Sequence, residues 1–192
     1  MRLVLASASP RRAELLHAAG IDFDAIPSDA DETMHAGEAP GEYVVRVARL
    51  KAEAVAVRAP GRPVLGADTI VLAGDEVLGK PADDQEAGRM LRLLSGRTHT
   101  VLTGMCLLYP GETSLQQQTG MAHTAVEFKL LSEAEINWYV ASGEPRDKAG
   151  AYAIQGLASR FVTRIDGSYS NVVGLPVADA CRLCAQAGIL VS

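Results

Sequence analysis

The apolar residues recur with two periods, and together they predict a chain in which short strands alternate with amphipathic helices. Leu3-Val4-Leu5 is an unbroken apolar run, the pattern of a buried strand. Ser9-Pro10 follows, a helix-capping residue before a proline suited to the first helical position. Leu15, Leu16 and Ala19 give that helix its apolar stripe, and Gly20 stops it. A second helix is predicted over residues 40–57, with Val44, Val47, Ala48, Leu50 and Val55 inward. Residues 63–72 read as a central strand interrupted by one acid, Asp68. Gly74-Asp75 reads as a hairpin turn into Val77-Leu78. A third helix is predicted from Asp83 or Asp84 to Gly96, with Met90, Leu91 and Leu94 inward.

Residues 98–109 are rich in β-branched and apolar side chains and end at the turn signal Pro110-Gly111. The returning strand is predicted over residues 119–129. Ser132-Glu133-Ala134-Glu135 is a capping box that opens a short helix, stopped by Gly143. Residues 161–165 form a further predicted strand, turned by Asp166-Gly167, and residues 176–186 the last helix, closed by Gly188. Early strand–helix alternation followed by a hairpin predicts an α/β protein with a mixed sheet.

At 192 residues, one domain or two lobes sharing a core is expected. A hydrophobic fraction of 48% against 21% charged residues excludes a disordered chain. The formal charge of −5 argues against a basic face for nucleic-acid polymers. No apolar run approaches the ~18 residues of a membrane span, and the opening Met1–Ala6 run is too short for an export signal. With three cysteines, a reducing cytoplasmic setting is expected. Cys181 and Cys184 form a C-x-x-C inside a predicted helix, without the strand that a redox motif needs, so they and Cys106 read as packing residues. The four histidines, His17, His35, His99 and His123, lack metal-ligand spacing, and His17 is expected at the surface.

Four segments carry candidate chemistry. Ser7-Ala8-Ser9-Pro10-Arg11-Arg12 joins a helix N-terminus to two guanidiniums, which suits an anion; a plainly capped surface helix is the simpler alternative. Residues 22–42 hold seven acids and no Lys or Arg, which fits either a solvated loop or oxygen ligands for a hard cation. Asp68 lies in an otherwise apolar strand, where a carboxylate costs several kcal/mol unless it is paired, protonated or metal-bound. Gly66 and Ala67 beside it are expected to leave room for a ligand. Residues 147–156 separate Lys148 from Gln155 by small residues, as the wall of a flat ligand would.

Five ordered motifs resemble the Maf family of nucleoside triphosphate pyrophosphatases across almost the whole chain. They are residues 5–12, Gly66-Ala67-Asp68-Thr69-Ile70-Val71, Lys80-Pro81, residues 147–156 and Gly167-Ser168-Tyr169-Ser170-Asn171-Val172-Val173-Gly174-Leu175-Pro176. The resemblance implies a Maf/ITPase-like mixed β-sheet with flanking helices, a single domain over residues 1–192 with two lobes around a central cleft, and leaves a homodimer open. It implies hydrolysis of a nucleoside triphosphate between the α- and β-phosphates. The family has a dTTP/UTP branch and a 7-methyl-GTP branch. Arg11, Thr69 and Gln155 match the first, where the second carries Trp, Gln and Glu. Residues 29–33 and Leu78-Gly79-Lys80 look more like the second branch.

By the same resemblance, Asp68 is the proton acceptor, Ser7, Arg11, Arg12, Lys51 and Lys80 hold phosphate, and Lys148 lines the ligand wall. Glu32 and Asp68 hold a divalent cation (Mg²⁺, Mn²⁺ or Co²⁺). Arg11, Thr69 and Gln155 set the base, and a housecleaning role against modified pyrimidine nucleotides is implied. The alternatives are a 7-methyl-GTP pyrophosphatase and a nucleotide-binding regulator of septum formation.

Overall fold

A computed structural model describes residues 1–189. It shows a mixed α/β fold built on one seven-stranded sheet. The strands are β1 (Leu3–Leu5), β2 (Phe23–Ala25), β3 (Val64–Ala73), β4 (Glu76–Leu78), β5 (Thr98–Pro110), β6 (Leu115–Phe128) and β7 (Val162–Asp166). The helices are α1 (Pro10–Ala18), α2 (Pro40–Ala56), α3 (Asp84–Leu94), α4 (Glu133–Ala141), α5 (Tyr169–Val173) and α6 (Val177–Gln186). The strand order is β2-β1-β3-β5-β6-β7, with β4 paired to β3. β1 runs parallel to β2 and β3, and the α1 and α2 crossovers make those parallel pairings possible. β4 is antiparallel to β3, and β7 to β6.

Two compact units share these elements. The first comprises Met1–Asp68, Thr103–Ala122 and Gly174–Ser192. Its core has two layers, and β1 shows why its sequence is continuously apolar. Leu3 and Leu5 join a cluster with Leu16, Phe23, Leu65, Met105 and Leu183, whereas Val4 joins Ala48, Ala52, Val55 and Val64. Both faces of the strand are covered, so alternation disappears. Cys184 belongs to the first cluster with Cys181 against it, and Cys106 to the second, which bears out the packing reading of all three thiols.

Helix α2 is seated on the sheet by two missing side chains. A Cβ on Gly66 of β3 would lie 2.1 Å from the Ala48 carbonyl oxygen, and one on Gly104 of β5 would lie 2.3 Å from that of Val44. The space at Gly66 is therefore filled by helix backbone rather than kept for a ligand, which corrects the expectation from sequence.

The second unit comprises Thr69–Leu102 and His123–Val173. Its core is aromatic. Phe128 meets Tyr152 edge-on at 4.8 Å, and Tyr139 meets Phe161 edge-on at 5.3 Å. Buried His99 joins them, 4.9 Å from Phe128, with Nε2 2.8 Å from the Tyr152 hydroxyl. Helix α4 carries the expected capping box: Ser132 accepts the Glu135 N–H and the Glu135 side chain accepts the Ser132 N–H.

Several features were not expected, the short helix α5 among them. β2 is three residues long with an acid at its centre, too short to show a period. β6 begins at Leu115, four residues early, because its first half is exposed and rich in glutamine. Three 3-10 turns, Glu144–Asp147, Ala149–Ala151 and Leu157–Arg160, occupy what sequence left as loop. No described helix is long and apolar enough to cross a membrane.

Candidate active site

Of the charged residues singled out by sequence, Glu32, Lys51, Asp68 and Arg12 come together in the first unit. Gly66 and Asp68 share one face of β3, because side chains alternate along a strand. Ala48 and Lys51 share one face of α2, three residues apart. The contact at Gly66 therefore delivers Lys51 to Asp68, and Lys51 Nζ donates to Asp68 Oδ1 at 2.7 Å. The same ammonium meets Glu32 Oε2 at 2.9 Å. Asp68 and Lys51 are buried, whereas the Glu32 side chain is half exposed. Burying one charge of such a set without its partners would cost several kcal/mol, so the pairing accounts for the acid inside an apolar strand.

Arg12 is buried beside them. Its Nε donates to the Gly174 carbonyl at 2.8 Å, and Nη1 donates to Ser7 Oγ at 3.2 Å. The Ser7 hydroxyl also accepts the Ser9 N–H at 3.2 Å, so one serine ties the turn before α1 to the arginine. Burial pulls the Arg12 guanidinium below its usual pKa; Asp68 and Glu32 oppose that shift and the adjacent Arg11 adds to it. Ser9 stands at the N-cap of α1 without a side-chain capping bond. Arg11 follows Pro10 in the first turn of the same helix.

The acidic stretch divides by partner. Asp24 pairs with Arg62 at 2.6 Å, Glu38 accepts from Arg46 at 2.7 Å, and Asp31 accepts from Thr33. Only Glu32 reaches Lys51, and sequence missed what places it: the Tyr43 hydroxyl donates to the Glu32 carbonyl at 2.8 Å. Burial, reinforced by Asp68 and Glu32, pushes the Tyr43 phenol up to about 12, so it stays a donor. Tyr43 sits among the apolar positions of α2, where nothing in the sequence marks it.

Thr69, Lys80, Lys148 and Gln155 lie in the second unit. Lys80 is exposed, two residues past β4. The Gly150 N–H donates to the Gly79 carbonyl at 3.0 Å, which joins the segments of Lys80 and Lys148. Gly150 has φ +68 and lies against Val71, so the loop rests on the face of β3 that also carries Thr69. Ala151 follows with φ +59, an uncommon backbone for a residue with a Cβ. Lys148 pairs with Asp147. Gln155 is exposed in the turn between Ala151 and Leu157.

Asp68 and Glu32 also provide the test of a divalent cation. Both carboxylates meet the Lys51 ammonium, which takes the point between Oδ1 and Oε2 and holds the two groups close together. Two hard oxygen donors fit Mg²⁺, which keeps several water ligands and takes the rest from substrate phosphate. Among the described residues no group of three or more His, Cys, Asp or Glu side chains forms a fuller protein cage.

Residues 2–187 match the family described as Maf-like protein. A relative from Anaeromyxobacter dehalogenans (strain 2CP-C), a dTTP/UTP pyrophosphatase, is 54% identical over 97% of this chain and 94% of its own. One from Koribacter versatilis (strain Ellin345), with the same description, is 51% identical over 99% and 96%. A solved structure of the Staphylococcus aureus Ham1 protein is similar over 67% of this chain and 72% of its own, at 18% identity and a TM-score of 0.46. The match over nearly the full length places this chain in the Maf-like protein family.

Proposed function

We propose that this chain is a nucleoside triphosphate pyrophosphatase that hydrolyses dTTP and UTP to the monophosphate and pyrophosphate. In this reading residues 1–192 act as a single domain. The observation that carries it is the trio Asp68, Lys51 and Glu32 beside buried Arg12, together with relatives named for this reaction.

The substrate brings nearly four negative charges, and stabilising the charge of phosphoryl transfer is the main task. Asp68 and Glu32 would hold a divalent cation, which when bound neutralises phosphate charge and polarises water. Arg12, with Nε on the Gly174 carbonyl and Nη1 on Ser7, meets the phosphate chain in one fixed orientation. Arg11 adds charge at the first turn of α1, where the helix dipole also favours an anion. By the family resemblance, Lys80 is a further phosphate-binding residue, acting as a point charge. Asp68, held through Oδ1 by Lys51, would accept the proton of the attacking water.

The Gln155 amide offers one donor and one acceptor, which suits the N3–H and a carbonyl of uracil or thymine. Thr69 is small and leaves volume for the ring, and Lys148 lines the wall. A wrong base leaves a polar group unpaired at ~1–3 kcal/mol, which is one to two decades in kcat/KM. A turnover panel of dTTP, UTP, 7-methyl-GTP, GTP and ATP tests the reading. We expect the two pyrimidine nucleotides to exceed 7-methyl-GTP by at least ~10-fold, on that energetic scale. Preference for 7-methyl-GTP would overturn the base assignment, and release of orthophosphate instead of pyrophosphate would overturn the bond assignment.

A further inference from the structure

We propose that Tyr139 and Glu144 are positioning residues for base recognition: a hydrogen-bonded pair that fixes both ends of the turn presenting Gln155. The inference rests on the reading of Gln155 as the residue that meets the base. Neither residue carries a sequence signal of its own. Tyr139 lies in the last turns of α4, Gly143 stops that helix with φ +74, and Glu144 opens the next turn. The helix stop folds the two back on each other, and the Tyr139 hydroxyl donates to Glu144 Oε1 at 2.8 Å.

Both then grip the same short stretch of main chain. The Tyr139 oxygen accepts the Ala153 N–H at 3.2 Å. Glu144 accepts the Leu157 N–H at 3.0 Å and the Ala158 N–H at 3.4 Å. Between them the Gly156 N–H closes onto the Ala153 carbonyl at 3.1 Å, a four-residue turn with Ile154 and Gln155 at its centre. Ile154 is buried and Gln155 exposed, so one central side chain anchors the turn and the other is displayed. The carboxylate lies so close to the turn that a Cβ on Gly156 would fall 2.3 Å from Glu144 Oε2. Burial and Glu144 both hold the Tyr139 phenol above its usual pKa, so the hydroxyl remains a donor.

The Tyr139 ring is fully buried against Phe161 and would pack equally well as phenylalanine. The hydroxyl and the carboxylate serve the backbone on either side of one displayed amide. An amide that reads a base edge must be held to a fraction of an ångström, since a misplaced group forfeits most of its effect.

The test compares dTTP with methyl triphosphate, a base-free probe, in the full chain. The ratio of their kcat/KM values isolates the contribution of the base. Tyr139→Phe and Glu144→Gln should each lower that ratio by about 10-fold, within the range that misplacing a positioned group costs. In a Gln155→Ala background neither should lower it further, because residues acting through one another are not additive. The inference is overturned, with the base assignment standing, if Gln155→Ala lowers the ratio while Tyr139→Phe and Glu144→Gln leave it unchanged or add their full effect. If Gln155→Ala itself leaves the ratio unchanged, the reading of Gln155 fails and takes the inference with it.

Discussion

The two units fix their candidate functional residues by opposite means. In the first, charged side chains are held by other charged side chains: Asp68 and Glu32 by Lys51, and Arg12 by Ser7 and a carbonyl. In the second, a neutral side chain, Gln155, is held through the main chain on either side of it, where Tyr139 accepts the Ala153 N–H and Glu144 the Leu157 N–H. The first arrangement resides on regular elements, a strand and a helix pressed together at Gly66. The second resides on turns. The difference suits the two tasks proposed for these residues. Phosphate charge is met by field strength, which tolerates small displacements, whereas a base edge is met by hydrogen-bond direction, which does not.

The largest expected effect tests the charged side of that contrast. Asp68→Asn keeps the shape and removes the proton acceptor, so kcat should fall by ~10²–10⁴. The unfolding transition should be retained, because the amide oxygen still accepts from Lys51. Turnover near wild type in a folded variant would remove Asp68 from the chemistry.

Gly66→Ala comes next. The added carbon would meet backbone, which cannot swing aside, so α2 must lift from β3. Overpacking of this kind costs about 1–3 kcal/mol, here toward the upper end, and draws Lys51 away from Asp68. A lowered urea midpoint together with reduced turnover is expected. Unchanged stability would show that α2 is not seated by this contact.

The same contrast explains what was legible in the sequence. Residues with a local signature were found where expected: the proline opening α1, the capping box of α4, and the acid in β3. The five motifs contain Asp68, Arg12 and Gln155 but neither Glu32 nor Lys51. Local pattern could not show which partners they take, because Lys51 meets Asp68 only when Gly66 and Ala48 touch. The Tyr139–Glu144 pair was invisible for the same reason. Its two members belong to different elements, and the groups they serve are backbone N–H donors, which every residue but proline has.

Titration separates the units further. The first keeps its buried charges paired, whereas the second keeps a buried histidine neutral: burial lowers the His99 pKa to about 4. The unfolded chain binds that proton from about pH 6.5 downward, so the native state loses stability as the pH falls from 6.5 toward 4. Between pH 7 and pH 5 the loss should be about 2 kcal/mol. Glu38 and Glu135, held at about 2 chiefly by Arg46 and Lys129, lose their contributions mainly below that window. Urea unfolding of wild type and His99→Gln at the two pH values checks this. A slope that survives the substitution would assign the effect elsewhere.

The smallest effect is the most discriminating, because it sets one close-packed glycine against another. A Cβ on Gly156 would lie 2.3 Å from Glu144 Oε2, nearly as close as the contact at Gly66. The obstacle here is the end of a flexible side chain. Gly156 also has φ −102, outside the left-handed region that favours glycine. Gly156→Ala should therefore be accommodated by swinging Glu144 away, at a cost below about 1 kcal/mol, since partly exposed hydrogen bonds contribute about that much. The carboxylate would then release the Leu157 and Ala158 N–H groups, and the turn would loosen around Gln155. The expected result is an unfolding midpoint close to wild type with a several-fold loss of preference for dTTP over GTP. Gly66→Ala, by contrast, should lower the midpoint and turnover on both nucleotides together. If Gly156→Ala instead behaves like Gly66→Ala, the turn is part of the rigid core, and main-chain anchoring in the second unit is no softer than the ion pairs in the first.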